Sequence, residues 1–118
     1  MSAEAQAEAL SLAVRLGTLL DEVAVRGLRA CGAEEMARLR SQRDGLSGMG
    51  ASHLAEVLDA LLADLDSGRR EGARSLLRAR ASQRVFERLL SLRMVGDALA
   101  GAQLAGEDSD ADDEAVDD

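Results

Sequence analysis

Apolar residues recur in the first third of the chain at the three-to-four spacing of a single helical face, with charged residues opposite. Ser2 can cap the start of this stretch, and Gly32 follows Cys31 as a C-cap. The pattern predicts one long amphipathic helix. Its apolar positions are Leu12 or Ala13, Leu16, Leu20, Val23 or Ala24, and Leu28.

Two glycines fall inside this predicted helix. Gly17 and Gly27 would each cost about 1 kcal/mol relative to Ala in a helix interior. Either partner helices pack closely at these positions or the helix is locally weak. We favour close packing.

A shorter and more polar helix is predicted from Ala33 to Arg43. Its acidic residues stand at the beginning and its Arg residues at the end, which suits the helix dipole. Three glycines then occur within the segment 44–51, which is predicted to be a loop or hinge.

A third helix is predicted from Ser52 to Ser67, because Leu residues form a regular apolar stripe that ends at Gly68. All the formally charged residues of this helix are acidic. From Arg69 to Arg93 the sign reverses, with eight Arg against two Glu. We interpret this basic region as two helical segments that meet near Ser82, a single long helix being the alternative.

Composition supports an all-α fold. The 118 residues include 20 Leu but no Ile, Pro, Trp or Tyr, whereas sheets favour β-branched and aromatic residues. We therefore expect a small bundle of about four or five helices over residues 1–106. Because its aliphatic core is thin, we also expect a homo-oligomer or a protein partner to cover part of the Leu-rich helices.

The net charge of −8 is concentrated at the C-terminus. Residues 107–118 contain eight acids and no Arg, whereas residues 1–106 contain 14 of each sign. Too few apolar residues remain in the segment 107–118 to offset the entropy of ordering it. A disordered acidic tail is therefore predicted after a neutral helical body.

Little in the sequence indicates catalysis or a cofactor. Cys31 and His53 are the only residues of their types, and no third group orients a nucleophilic pair. The spacing of His53 and Glu56 occurs in metal bundles, but those need more carboxylates. Acids at 108, 110 and 112 resemble the start of a calcium loop, but position 113 is Asp where that loop needs Gly. We expect no enzyme activity, no cofactor and no metal site.

A lone Cys, an N-terminus without a basic leader and the lack of a long apolar run predict a cytoplasmic protein that does not enter a membrane. No motif in the sequence identifies a family.

The basic region 69–93 is the leading candidate for function. One interpretation is a non-catalytic interaction or adaptor subunit of a bacterial assembly, which binds a partner through Leu and Arg on amphipathic faces. The alternative is a regulator that binds nucleic acid or another polyanion and is inhibited by its acidic tail. A structural explanation ranks ahead of nucleic-acid binding, namely that Arg74 or Arg78 pairs with Asp59, Asp64 or Asp66. The candidate partner-binding residues are Arg74, Arg78, Arg84, Phe86, Arg88 and Leu89.

Overall fold

The computed structural model describes the backbone of residues 2–116 and the side chains of residues 2–106. Over these residues the chain forms four α-helices and one short 3-10 helix and contains no strand. The predicted all-α bundle is confirmed. The elements are α1 (Ala3–Arg26), the 3-10 helix (Leu28–Ala30), α2 (Ala33–Gly48), α3 (Ser52–Ser67) and α4 (Gly72–Val116).

The helices form a four-membered ring around an aliphatic core. Helix α1 packs against α2 and α4, and α3 packs against the same two neighbours. Apolar side chains from all four helices meet in the centre. The fully buried large residues are Leu16, Leu20, Val23, Leu39, Leu46, Leu58 and Leu61.

Helix α1 begins and ends at local signals that the sequence contains. The Ser2 hydroxyl accepts a hydrogen bond from the backbone N–H of Ala5 at 3.1 Å, as predicted for an N-cap. The helix ends earlier than predicted, because Gly27 has a φ of 89°, a left-handed value that favours glycine. The prediction of a helix reaching Cys31 was therefore wrong, and Gly27 is a helix terminator.

Gly17, by contrast, marks a close approach between α1 and α4. A Cβ atom at this position would lie 2.7 Å from Nε2 of Gln83 on α4. That amide is buried and donates to the carbonyl of Ala13 at 2.8 Å. Close packing at Gly17 is thus confirmed, since any side chain here would occupy the space of Gln83.

The break between α2 and α3 is shorter than the predicted segment 44–51. Helix α2 continues to Gly48, and only Met49–Ala51 connect it to α3. Gly45 does not end the helix because it faces α1, where a Cβ would lie 3.0 Å from Cδ2 of Leu12. The turn follows at Gly50, whose φ is 82°. The first of the predicted hinge glycines is therefore a packing position.

At the other end of α2, Glu35 caps the helix start. Its carboxylate accepts a hydrogen bond from the backbone N–H of Gly32 at 3.1 Å and pairs with Arg26 of α1 at 2.7 Å. Backbone hydrogen bonds, and secondarily the nearby Arg side chains, hold the pKa of Glu35 below its usual value. This residue ties the end of α1 to the start of α2.

Helix α4 is one continuous helix, and the prediction of two segments meeting near Ser82 was wrong. The residues that pack into the bundle stay on one helical face across that position: Ala79 and Gln83 are buried, as is Leu90. A continuous face of this kind needs no break, so the serine remains an interior helical residue.

Helix α4 is also much longer than its neighbours. With 45 residues it extends for about 67 Å, compared with about 24 Å for α3. Helix α1 runs antiparallel to it: Leu28, just after the end of α1, lies near Gly72 at the start of α4, and Gln6, near the start of α1, donates a hydrogen bond to Asp97. Beyond Asp97, α4 leaves the bundle, and the molecule measures 76 × 24 × 20 Å.

The predicted disorder falls on residues 107–118, whose side chains lie outside the described part of the chain. It therefore stays a prediction. Within the described chain, no helix has the length and apolar character needed to cross a membrane.

Candidate protein interface

A row of large apolar side chains is exposed along α4. Each of five residues in this row is more than half exposed, and together we call them the exposed stripe. They are Val85, Leu89, Leu92, Val95 and Leu99. At 100° per residue, the five positions fall within about 120° of the helix circumference. They therefore form one continuous apolar surface and not scattered exposed residues.

The stripe is exposed because the short helices do not reach it. On the opposite side of α4, Gln83 and Leu90 face the bundle and are buried. Helix α3 begins only at Ser52, which lies beside Ser82 and Val85 of α4, so the later residues of the stripe have no helix beside them. The different lengths of the helices, and not a local anomaly, leave this face unpaired.

An apolar groove opens where α3 begins. It has a volume of about 530 Å³ and lies between the α2–α3 turn and α4. Ala51 and Leu54 line it from one side, and Val85, Phe86 and Leu89 line it from the other. Because Val85 and Leu89 belong to the exposed stripe, the groove and the stripe form one surface.

The six predicted partner-binding residues occupy three places relative to this surface. Phe86, which is partly buried, and Leu89 both line the groove, so the structure brings them together. Arg74, Arg78 and Arg88 are exposed, and their positions fall in the same sector of α4 as the stripe. Arg84 lies apart, toward α1 and beside Thr18.

The ion pairs differ from the predicted ones. Neither Arg74 nor Arg78 lies within 4.0 Å of a carboxylate among the described side chains. Asp59 pairs instead with Arg43 of α2 at 2.6 Å, and Asp64 accepts a hydrogen bond from Ser75. In the basic region, the ion pair found is Arg80 with Asp21 of α1 at 2.7 Å. The predicted pairing of α3 acids with Arg74 or Arg78 was wrong: Arg43 engages Asp59, Ser75 engages Asp64, and Asp66 has no ion pair among the described side chains.

Sequence reasoning missed Leu92, Val95 and Leu99 as candidate site residues. A signal was present, because Val85, Leu89, Leu92 and Leu99 follow the alternating four-three spacing of a coiled-coil seam, with Gly96 at the remaining position. Periodicity alone does not say which of two apolar faces a neighbouring helix covers.

The two candidate nucleophilic residues are far apart. Cys31 lies near Asp64 and Leu65 at the end of α3, whereas His53 is at its beginning. The intervening part of α3 separates them by about 17 Å. Burial, and secondarily the charge of Glu35, raises the pKa of the Cys31 thiol, which disfavours the reactive thiolate. Within the described residues, no cluster of three or more His, Cys, Asp or Glu could hold a metal ion.

Comparison of the chain with protein-family models, with curated proteins and with solved structures finds no match.

Proposed function

We propose that this chain is a non-catalytic interaction or adaptor subunit of a cytoplasmic bacterial assembly, and that its binding surface is the exposed stripe of α4 with the adjoining groove. The observation that carries the proposal is the row of five large apolar side chains exposed on one face of a helix that extends beyond its bundle. Contiguous exposed apolar surface of this kind is characteristic of binding sites.

The shape and charge of the surface favour one kind of partner. A groove that continues into a helical stripe fits an amphipathic helix, which inserts apolar residues at helical spacing. The exposed residues Arg74, Arg78 and Arg88 lie in the same sector of α4 as the stripe. A partner helix with complementary charge therefore carries Asp or Glu beside its apolar residues. Burying the stripe would remove apolar area from water, which stabilises a complex by about 25 cal/mol per Å².

The double substitution Leu92→Asp with Leu99→Asp tests this proposal. Two carboxylates within the stripe, at its middle and at its end, should weaken partner binding about tenfold or more, because a partner would have to desolvate them. We would measure which proteins the tagged chain retains from lysates of the cells that produce it. Its oligomeric state would be measured by light scattering. Unfolding measured by circular dichroism should remain unchanged, since both side chains are exposed.

Leu104→Asp is the matched control. Leu104 is 63% exposed, against 62% for Leu92, but at five residues from Leu99 it points away from the stripe. The control variant should retain the same proteins as the unsubstituted chain. Equal retention by the double variant and by the control would contradict the proposal, as would a chain that binds neither itself nor another protein.

A second candidate function is polyanion binding, which seven Arg residues of the basic region favour. They are exposed and lie beyond 4.0 Å from any described carboxylate. Under this alternative, deletion of residues 107–118 should raise affinity for duplex DNA or RNA, and the affinity should fall steeply with salt. Under the leading proposal, the deletion leaves the chain without nucleic-acid binding in a fluorescence anisotropy titration. The seven residues are Arg69, Arg70, Arg74, Arg78, Arg84, Arg88 and Arg93.

A further inference from the structure

We propose that the partner of the exposed stripe is a second copy of this chain, whose α4 crosses it antiparallel about a two-fold axis near Val95. The inference rests on the proposed function, because it identifies the partner of the same surface. Three features carry it: the apolar centre of the stripe, the opposite charges at its two ends and the open space around it.

The centre of the stripe is complementary to itself. In a two-fold contact each position is used twice, so the surface must match its own rotated copy. An axis near Val95 sets Leu92 of one copy opposite positions 98 and 99 of the other. Apolar residues therefore meet apolar residues across the axis, and Gly96 allows the two backbones to approach closely.

The two ends of α4 carry opposite charges at matching distances from this centre. Arg74 and Arg78 precede Val95 by 21 and 17 residues, whereas the eight acids follow it by 12 to 23 residues. An antiparallel pair places the basic part of each copy against the acidic part of the other, and does so twice. A parallel pair would bring like charges together, which is destabilising. The charge distribution thus selects the antiparallel orientation.

Within a single chain whose α4 is helical to Val116, the same charges are kept apart. The backbone of α4 is helical from Gly72 to Val116, and position 107 lies 19 residues beyond Arg88. That separation is about 28 Å along the helix axis. A second copy brings the opposite charges together without bending the helix.

The fold leaves room for this second helix. Helix α1 covers the side of α4 that carries Gln83 and Leu90, which is opposite to the stripe. Helix α3 lies beside the earlier part of α4 and begins near Ser82. No described element covers the sector that holds Leu92, Val95 and Leu99, each of which is at least 56% exposed.

Disulfide cross-linking of the full chain tests the geometry. In a Cys31→Ser background, Val95→Cys should form a disulfide between two copies on mild oxidation, because residues at the axis lie next to their own symmetry mates. Arg78→Cys and Glu114→Cys, two positions in the sector of the stripe, should each fail to cross-link alone but should cross-link when the two variants are mixed. Non-reducing electrophoresis and peptide mass spectrometry would identify the products.

A parallel pair would instead cross-link each of the three variants to itself, and that result would overturn the proposal. So would a chain that stays monomeric in light scattering at high concentration. If the chain is monomeric, the proposed function is tested separately. Retention by the tagged chain of another protein that the variant Leu92→Asp with Leu99→Asp does not retain would support the interaction function. That result would exclude only a second copy as the partner.

Charge reversal provides an independent measurement by sedimentation. Arg74→Glu with Arg78→Glu should weaken dimerisation about tenfold at low salt, since four facing pairs in the dimer become repulsive. Adding Asp113→Arg with Glu114→Arg, two acids in the sector of the stripe, to the same chain should restore it. Salt should reduce both effects. A dimer constant unchanged by the first pair of substitutions, or not restored by the second, would contradict the antiparallel arrangement.

Discussion

Leu58→Ala should lower the free energy of unfolding by about 2 to 5 kcal/mol. Leu58 lies in the middle of α3, has no exposed surface and packs in the central cluster with residues of the other helices. The substitution removes apolar contacts and leaves a cavity that the surrounding helices fill only in part. Total stability of a small domain is about 5 to 15 kcal/mol, so the loss is a large fraction of it.

Chemical denaturation followed by circular dichroism measures this effect. Leu104→Ala is the matched control, because Leu104 is 63% exposed on α4, points away from the stripe, and its truncation opens no cavity. The control should change the unfolding free energy by about 0.5 kcal/mol or less. Equal losses for the two variants would show that the core does not lie where the structure places it.

Gly17→Leu should also destabilise the fold, by about 2 to 5 kcal/mol. A side chain at this position collides with the amide of Gln83, which would have to leave its hydrogen bonds to the Ala13 carbonyl and to Glu87. The penalty combines overpacking between α1 and α4 with a buried amide that loses its partner. The gain in helix propensity over glycine, about 1 kcal/mol, does not compensate for it.

Gly48→Leu serves as the comparison for this prediction. Gly48 also lies in a helix, but nothing approaches within 4 Å of the position that a Cβ atom would take. The same substitution there should leave stability unchanged or raise it slightly. Thermal unfolding of both variants separates the effect of close packing from that of glycine itself. A Gly17→Leu variant as stable as Gly48→Leu would contradict the close α1–α4 contact.

These substitutions also bear on function through α4. Gln83 is one of the residues that fix α4 against α1, while the exposed stripe occupies the other side of the same helix. A change at Gly17 therefore acts on the support of the proposed interface and not on its surface. By comparison, Leu92→Asp with Leu99→Asp acts on the surface and should leave folding intact.

Local signals in the sequence determined most of the helical architecture. The Ser2 cap, the Leu stripe of α3 and the end of that helix at Gly68 were all predicted correctly, because each depends on neighbours within a few residues. The all-α class was also predicted correctly, because it follows from the abundance of Leu, the absence of Ile and the scarcity of aromatic residues.

The role of each glycine was decided by tertiary contacts as well as by local preference. The sequence offered the same reading for Gly17 and Gly27, yet one packs against Gln83 and the other ends α1 with a positive φ. Gly45 looked like part of a hinge but packs against Leu12. Propensity alone cannot distinguish these cases, because glycine suits both a close approach and a turn.

Part of the candidate site was accessible to sequence reasoning, namely Phe86, Leu89 and the neighbouring Arg residues. Leu92, Val95 and Leu99 were not, since their spacing fits a buried face equally well. The sequence by itself determined that α4 is apolar on more than one side. Only the tertiary structure decided which side is exposed, because α1 covers one face while α2 and α3 are too short to cover the other.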